Sequence, residues 1–163
     1  MVGGEAFERA RLHAELSARM VEVGAKEVTD REAEAECVVT MTPEACAQLV
    51  AGTPKGDPIE AARIAGLMGV KRTPDLLPFC HPIAVTGAEV RVEPDQESGT
   101  IRVWTRVRAR DRTGVEMESL TAAAVAALSL YDTAKAYDRA ARIDGLRLLA
   151  KSGGKSGDYA APS

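Results

Sequence analysis

The sequence is poor in aromatic residues and carries no excess of positive charge. Phenylalanine, tryptophan and tyrosine make up 4% of its 163 residues, and they do not alternate with basic residues as a series of base-stacking platforms would. Its 21 lysines and arginines are outnumbered by 24 aspartates and glutamates, whereas nucleic-acid binders gain affinity by neutralising many phosphates. We therefore expect no nucleic-acid partner.

Cysteine is also scarce, and the apolar segments are short. Cys37, Cys46 and Cys80 form an odd set without a CxxC pair, so the sequence encodes neither a disulfide framework nor a zinc ribbon, and we expect no metal site. Charged residues interrupt the first 20 positions, and no later stretch approaches 18 uncharged apolar residues. We expect a cytoplasmic protein that does not enter a membrane.

The hydrophobic content, by contrast, is sufficient for one folded domain. Hydrophobic residues make up 45% of the chain, and a chain of this length buries about two thirds of its unfolded surface without needing a disulfide or a structural metal. Thr42 and Asp57 are capping residues that each precede a proline suited to the first helical turn, so a helix is predicted after each of them. Three prolines at four-residue spacing, Pro74, Pro78 and Pro82, then predict a stiffened loop without a helix.

The second half of the chain predicts a sheet and one long helix. An alanine-rich segment without glycine or proline predicts a helix at 115–137. Strands are predicted at 33–41, 88–92, 101–109 and 142–150, the second and third of them joined as a hairpin. Helices and antiparallel strands in this order indicate an α+β fold with the helices packed on one face of the sheet.

The long helix carries the most unusual pair of charges. Asp132 and Lys135 are three residues apart, so their side chains share one face of the helix. Because the rest of the helix is apolar nearly all round, we expect this pair to be buried, where an ionised group needs a partner. An ordinary surface ion pair is the alternative.

Two other segments hold groups that could exchange protons. Glu116 and Glu118 lie at the start of the long helix, where the helix dipole by itself would favour carboxylates. His81 lies in the proline-stiffened loop, which would hold a titratable group rigidly, although a lone histidine has a structural alternative. Adjacent Cys80 and His81 lack metal-ligand spacing.

Lysines beside glycine-rich turns are candidates for phosphate binding. Lys55 immediately precedes a helix N-terminus, whose N–H groups favour anions. The segment KSGGKSGD at 151–158 carries Lys151 and Lys155, is not a Walker A motif, and could wrap a polyphosphate with its backbone N–H groups. A solvated loop lysine and a flexible tail are the respective alternatives.

Together these segments resemble the cyclic pyranopterin monophosphate synthase family, accessory protein C of molybdenum-cofactor biosynthesis. The resemblance covers residues 20–158, between a leader at 1–19 and a tail at 159–163. It rests on several ordered motifs: Lys55-Gly56-Asp57, residues 62–66, Lys71-Arg72-Thr73, residues 78–82, residues 113–118, Asp132 with Lys135, and residues 148–158.

The resemblance implies a ferredoxin-like fold, a homohexamer built as a trimer of dimers, and an active site between subunits. The implied reaction is that of a lyase, which converts 3',8-cyclo-7,8-dihydro-GTP to cyclic pyranopterin monophosphate and diphosphate. Asp132, Lys135 and Lys55 would be catalytic. The substrate-binding residues would be Phe79, Cys80, His81, Glu116, Met117, Glu118, Lys151 and Lys155.

The same resemblance implies no redox cofactor, and magnesium would be present only with the substrate triphosphate. If the site is shared between subunits, Lys55 and Asp132 are one pair that could meet across the interface. The arginine-bearing strand face at Arg102, Arg106 and Arg108 is then a candidate for the covered surface.

A non-catalytic nucleotide-binding or regulatory α+β module is the alternative function. Such a module would need the phosphate-binding lysines but not Asp132 beside Lys135.

Overall fold

The computed structural model describes residues 18–162, so all but the last two positions of the predicted leader lie outside the described residues. The helices are α1 (Pro43–Ala51), α2 (Pro58–Leu76) and α3 (Glu116–Ala134), and the strands are β1 (Thr29–Thr40), β2 (Val85–Asp95), β3 (Thr100–Asp111), β4 (Arg142–Ser152) and β5 (Tyr159–Ala160). Among the described residues, no helix has the length and apolarity needed to cross a bilayer.

The strands form one antiparallel sheet in the order β2-β3-β1-β4-β5. Helices α1 and α2 connect β1 to β2, and α3 connects β3 to β4, which gives the β-α-β-β-α-β pattern of a ferredoxin-like fold. The prediction of an α+β, ferredoxin-like architecture is therefore confirmed. The short strand β5, which pairs with the end of β4, was not predicted.

Both predicted helix starts are confirmed, and side chains cap them. The hydroxyl of Thr42 accepts a hydrogen bond from the Ala45 N–H at 3.2 Å at the start of α1. The carboxylate of Asp57 accepts from the N–H groups of Ile59 and Glu60 at 2.8 and 3.2 Å at the start of α2. Each cap satisfies N–H groups that have no partner within the helix.

The prediction that Pro74 lies in a loop is wrong, because α2 continues through it to Leu76. Pro74 removes one N–H, which would bond to the carbonyl four residues earlier, but only two helical residues follow it, so any distortion is confined to the last turn. The buried Thr73 hydroxyl donates to the Gly69 carbonyl at 3.0 Å, and the Leu77 N–H donates to the Thr73 carbonyl at 3.0 Å. The stiffened loop is therefore limited to residues 77–84.

The predicted hairpin is confirmed, with longer strands and a tighter turn. Pro94 pairs with Ile101 and Asp95 with Thr100, so the turn holds only residues 96–99. The Asp95 carboxylate accepts from the N–H groups of Glu97 and Ser98 at 3.1 and 3.3 Å, which closes the turn. The strand predicted at 33–41 begins earlier, at Thr29, and β4 runs through Ser152.

The core lies between the sheet and the helices, and α2 packs closely against α3. Gly66 and Gly69 of α2 allow this approach, because a Cβ on Gly66 would lie 3.1 Å from the Ala122 carbonyl oxygen, and one on Gly69 would lie 3.2 Å from that of Thr121. The two helices have 19 residues each. They run in opposite directions, because Lys55 before α2 lies toward the end of α3 and Cys80 after α2 lies toward its start. The start of each helix therefore lies beside the end of the other.

The other face of the sheet carries a ladder of ion pairs. Arg106 pairs with Glu34 at 2.6 Å, Arg108 pairs with Glu32, and Glu36 joins Arg102 and Arg147 at 2.8 Å each. Burial raises the pKa of Glu36, but the hydrogen bonds from the two arginines outweigh it, so the pKa is lowered. Arg102, Arg106 and Arg108 of β3 are thus neutralised within the chain and do not require a second subunit for compensation.

The close approach of α2 and α3 predicts that Gly66 tolerates no large side chain. Gly66→Leu must displace the Ala122 backbone or the methyl groups of Val90, 3.0 Å away, so we expect the free energy of unfolding to fall by about 3 kcal/mol. Ala61→Leu, on the exposed face of the same helix, is the control and should change it by less than about 0.5 kcal/mol. Urea unfolding followed by circular dichroism measures both, and equal stability of the two variants would contradict the packing argument.

Candidate active site

The start of α3 gathers one group of the predicted site residues. Glu118 is 2% exposed, and its Oε2 atom has no hydrogen-bond partner among the described residues. Burial, with a smaller contribution from the negative charge of Glu116, raises the pKa of Glu118. Burial and the charge of Glu118 in turn raise the pKa of the Cys80 thiol, which places loop 77–84 beside the start of the helix.

The end of β4 and the glycine-rich segment join this group. Lys151 pairs with Glu116 at 3.2 Å, and its Nζ also donates to the Ser156 hydroxyl at 3.2 Å. The turn after β4 is closed by a hydrogen bond from the Gly153 N–H to the Asp158 carboxylate at 3.1 Å. Lys151 therefore belongs to a strand, and the role of residues 151–158 in wrapping a polyphosphate stays a prediction.

Four more predicted residues lie at or beside this end of α3. Phe79 and Met117 are exposed, with 57% and 41% of their surface accessible. His81 is half-buried and follows Cys80 in the loop. Lys155 is exposed and lines the same cleft as Glu116. Cys80, Glu116, Glu118 and Lys151, with these neighbours, are called the start group.

The remaining predicted residues lie at the other end of the helix. Asp132 and Lys135 form an ion pair of 2.6 Å, with side chains 72% and 55% exposed. The hydrogen bond and charge of Lys135, followed by a smaller effect of Lys55, lower the pKa of the Asp132 carboxyl. The hydrogen bond to Asp132 likewise raises the pKa of Lys135. Lys55, Asp132 and Lys135 are called the end group.

The expectation that Asp132 and Lys135 are buried is wrong for the single chain. Helix α3 turns Ala126 and Leu130 toward the sheet, and the pair lies on the opposite side of the helix. A Cβ on Gly69 would meet Val125 on that opposite side, so α2 covers this side of α3 at Val125 and leaves it exposed at Leu128 and beyond. The pair is therefore a surface ion pair in this chain.

The predicted site residues thus form two groups rather than one. Glu116 and Asp132 are separated by 16 residues of helix, which at 1.5 Å per residue places them about 24 Å apart. Proton transfer requires heavy atoms at hydrogen-bond distance, about 3 Å, so groups at the two ends cannot act on the same atom within one chain. The charge of Lys55 acts on Asp132 within the chain, and the hypothesis that the site is shared between subunits stays a prediction.

Sequence reasoning missed several cations near the start group. Lys26, Arg31 and Arg112 line a cleft together with Glu116 and Lys155. The sequence signal for Arg112 was its position at the end of a strand, directly before Thr113-Gly114 and the start of α3. Among residues 18–162, no three His, Cys, Asp or Glu side chains lie close enough together to hold a metal ion.

Known proteins match most of the chain. The MoaC family model matches residues 20–154. The cyclic pyranopterin monophosphate synthase of Brucella ovis is 51% identical over 145 residues, which cover 88% of each chain. Those of Pelotomaculum thermopropionicum and Parvibaculum lavamentivorans are each 52% identical, over 87% and 89% of this chain and 84% and 91% of their own.

The buried carboxyl group of Glu118 predicts a pH-dependent effect on stability. A raised pKa favours the protonated form in the folded state, so ionisation of Glu118 costs stability as the pH rises through the unfolded-state pKa toward the folded-state one. Glu118→Gln avoids this cost. We expect its melting temperature, relative to the unchanged protein, to increase between pH 4 and pH 8, and calorimetry at several pH values measures this.

The exposed Glu97→Gln variant is the control for that experiment, because it removes a carboxyl group of the same type from the β2–β3 turn. Its melting temperature relative to the unchanged protein should not vary with pH. A constant difference for Glu118→Gln as well would show that burial does not perturb Glu118.

Proposed function

The chain belongs to the MoaC family, and from this premise we propose that it is a cyclic pyranopterin monophosphate synthase. Such a lyase acts in molybdenum-cofactor biosynthesis, where it converts 3',8-cyclo-7,8-dihydro-GTP to the cyclic monophosphate and diphosphate. The observation that carries the proposal is the Asp132–Lys135 pair at 2.6 Å with Lys55 beside it. A module that only bound nucleotides would have no need of this carboxylate.

The reaction needs both proton transfers and stabilisation of phosphate charge. Rearrangement of a reduced purine into a pyranopterin opens and recloses rings, and each step moves protons that a positioned acid or base can carry. Closing the cyclic phosphate breaks a phosphorus–oxygen bond, and the diphosphate leaves with the bonding electrons. Cations must then stabilise the negative charge on the departing group.

The proposed roles follow from the two groups. Asp132 and Lys135 exchange protons with the reacting rings, and Lys55 adds positive charge beside them. In the start group, Phe79, Cys80, His81, Glu116, Met117 and Glu118 contact the substrate, while Lys151 and Lys155 bind its phosphates. We propose no resident cofactor, and magnesium, where it takes part, enters bound to the substrate triphosphate.

We propose further that each active site combines the end group of one chain with the start group of another. Support comes from the distance of about 24 Å between the groups, which prevents one chain from presenting both to the same atom. An isologous interface would place each group of one chain against the other group of its partner. A homohexamer built from three such dimers is the assembly proposed.

Lys135→Ala tests the role of the end group. The ion pair is exposed and supports no core residue, so we expect an unchanged circular dichroism spectrum and melting curve. Turnover of the cyclised GTP, measured as pterin product and released diphosphate, should fall by about 10²–10⁴-fold. Arg139→Ala, an exposed cation shortly after α3, is the control and should keep full activity. Unchanged turnover in Lys135→Ala would remove the pair from the mechanism.

Mixing two inactive variants tests whether the site spans two chains. Lys135→Ala damages the end group and Lys151→Ala damages the start group, so a dimer of unlike chains has one fully intact site. After complete subunit exchange, about a quarter of all sites should be active. A mixture of Lys55→Ala and Lys135→Ala is the control, because both changes damage the same group and no intact site can form.

A further inference from the structure

Thr105 stands in the apolar row of side chains that β3 turns toward the helices. Its neighbours in that row are Val103 and Val107, two positions away on either side, and all three side chains are fully buried. A hydroxyl group in apolar surroundings costs free energy unless it forms hydrogen bonds. Threonine in place of a third valine therefore has to be explained by what its hydroxyl group contacts.

The hydroxyl group of Thr105 bonds to α3. Its Oγ1 atom lies 2.9 Å from the Ser119 carbonyl oxygen, 2.9 Å from the Ser119 hydroxyl oxygen and 3.3 Å from the Ala35 carbonyl oxygen. Because a carbonyl can only accept, the Thr105 hydroxyl donates to the nearer carbonyl, that of Ser119, and accepts from the Ser119 hydroxyl. Ser119 is fully buried as well. Two hydrogen bonds therefore join the middle of β3 to α3 at Ser119.

Ser119 immediately follows Glu118, in the part of α3 that carries the carboxyl groups of the start group. Within residues 18–162, no side chain caps the start of this helix at Val115, whereas side chains cap both α1 and α2. The hydrogen bonds between Thr105 and Ser119 instead anchor the beginning of the helix to the sheet. The carboxyl group of Glu118, whose Oε2 atom has no partner among the described residues, follows the position of this backbone.

We propose that Thr105 and Ser119 are positioning residues for the start group: by joining β3 to the beginning of α3, they fix the carboxyl group of Glu118 beside Cys80. The effect on turnover rests on the proposed function, whereas the effect on the local structure does not. Neither hydroxyl group touches the substrate, because both are buried between the sheet and the helix. Their influence is through distance, since a displacement of about 1 Å at a reacting group can cost about 10²-fold in rate.

Alkylation of Cys80 by iodoacetamide reports on the position of Glu118 without any substrate. Cys37 and Cys46 are buried and Cys80 is half-buried, so its reaction can be followed by mass spectrometry of the full-length protein. Thr105→Val keeps the shape of the side chain and removes the hydroxyl group. We expect the Cys80 rate to rise at least about threefold, because a loosened helix start exposes the thiol and moves the charge of Glu118 away from it. Thr105→Ser keeps the hydroxyl group and should keep the wild-type rate.

Turnover of the cyclised GTP gives a second measurement. Thr105→Val should lower kcat by about 10–100-fold and change KM by less than about threefold, since the lysines assigned to the phosphates are unaltered. Thr105→Ser should restore kcat. Ser119→Ala removes one of the two hydrogen bonds and should change both measurements in the same direction by a smaller factor, and it replaces Thr105→Val in the test if that variant does not fold.

Cys37→Ala is the matched control, because the Cys37 thiol also donates from the sheet to a carbonyl of α3, that of Ala123 at 3.4 Å, one turn further along. It should lower the melting temperature without changing the Cys80 rate or kcat. Equal effects of Cys37→Ala and Thr105→Val would overturn the proposal, since the response would then be general loosening of the helix.

An unchanged Cys80 rate in Thr105→Val would also overturn the proposal, and so would an unchanged kcat in Thr105→Val if the wild-type protein is an active synthase. An inactive wild-type protein whose Cys80 rate rises in Thr105→Val and returns in Thr105→Ser would overturn the proposed function while supporting the positioning of Glu118.

Discussion

The antiparallel packing of α2 on α3 is the contact on which the arrangement of the candidate site depends. Gly66 and Gly69 let the two backbones approach closely, and the helices are equally long. Because α2 runs opposite to α3, the loop before α2 brings Lys55 to the end of α3, and the loop after α2 brings Cys80 to its start. One helix pair therefore builds both groups and also keeps them apart.

The two groups differ in their electrostatic character. Asp132 is exposed and hydrogen-bonded to a lysine, which lowers its pKa and favours the ionised form. Glu118 is buried near another carboxylate, which raises its pKa and favours the protonated form. Environments that push two carboxyl groups in opposite directions are the usual way in which one site supplies both an acid and a base. An assembly that joins the groups from two chains would bring these complementary carboxyl groups to one substrate.

The helix-free face of the sheet shows how the remaining charges are managed. Glu36, 14% exposed at its side chain, links the strands on both sides of β1 through Arg102 and Arg147. The guanidinium groups of Arg91 and Arg106 lie over the Trp104 ring, 4.6 and 4.9 Å from its centroid. On this face Arg102, Arg106, Arg108 and Arg147 each pair with a glutamate of β1. The fold itself therefore uses these charges to join neighbouring strands.

The sequence alone determined the local features, because these depend on nearby residues. The caps at Thr42 and Asp57 fixed two helix starts, and period-two alternation predicted the hairpin that the structure contains. The prediction at Pro74 was wrong, because a proline two residues before the end of a helix disturbs only the last turn and does not prevent the helix from forming. The short strand β5 was missed because two residues give no periodic signal.

Only the tertiary structure decided how the candidate residues are grouped. The sequence resemblance assigned them to a single site, but the length of α3 divides them between its two ends. The tertiary structure also places four cations around one cleft, although they lie as many as 129 positions apart in the printed sequence: Lys26, Arg31, Arg112 and Lys155. Local patterns encode helices and strands through short-range sterics and hydrogen bonds. Distances between side chains of separate segments are set by how those elements pack, which no short pattern in the sequence specifies.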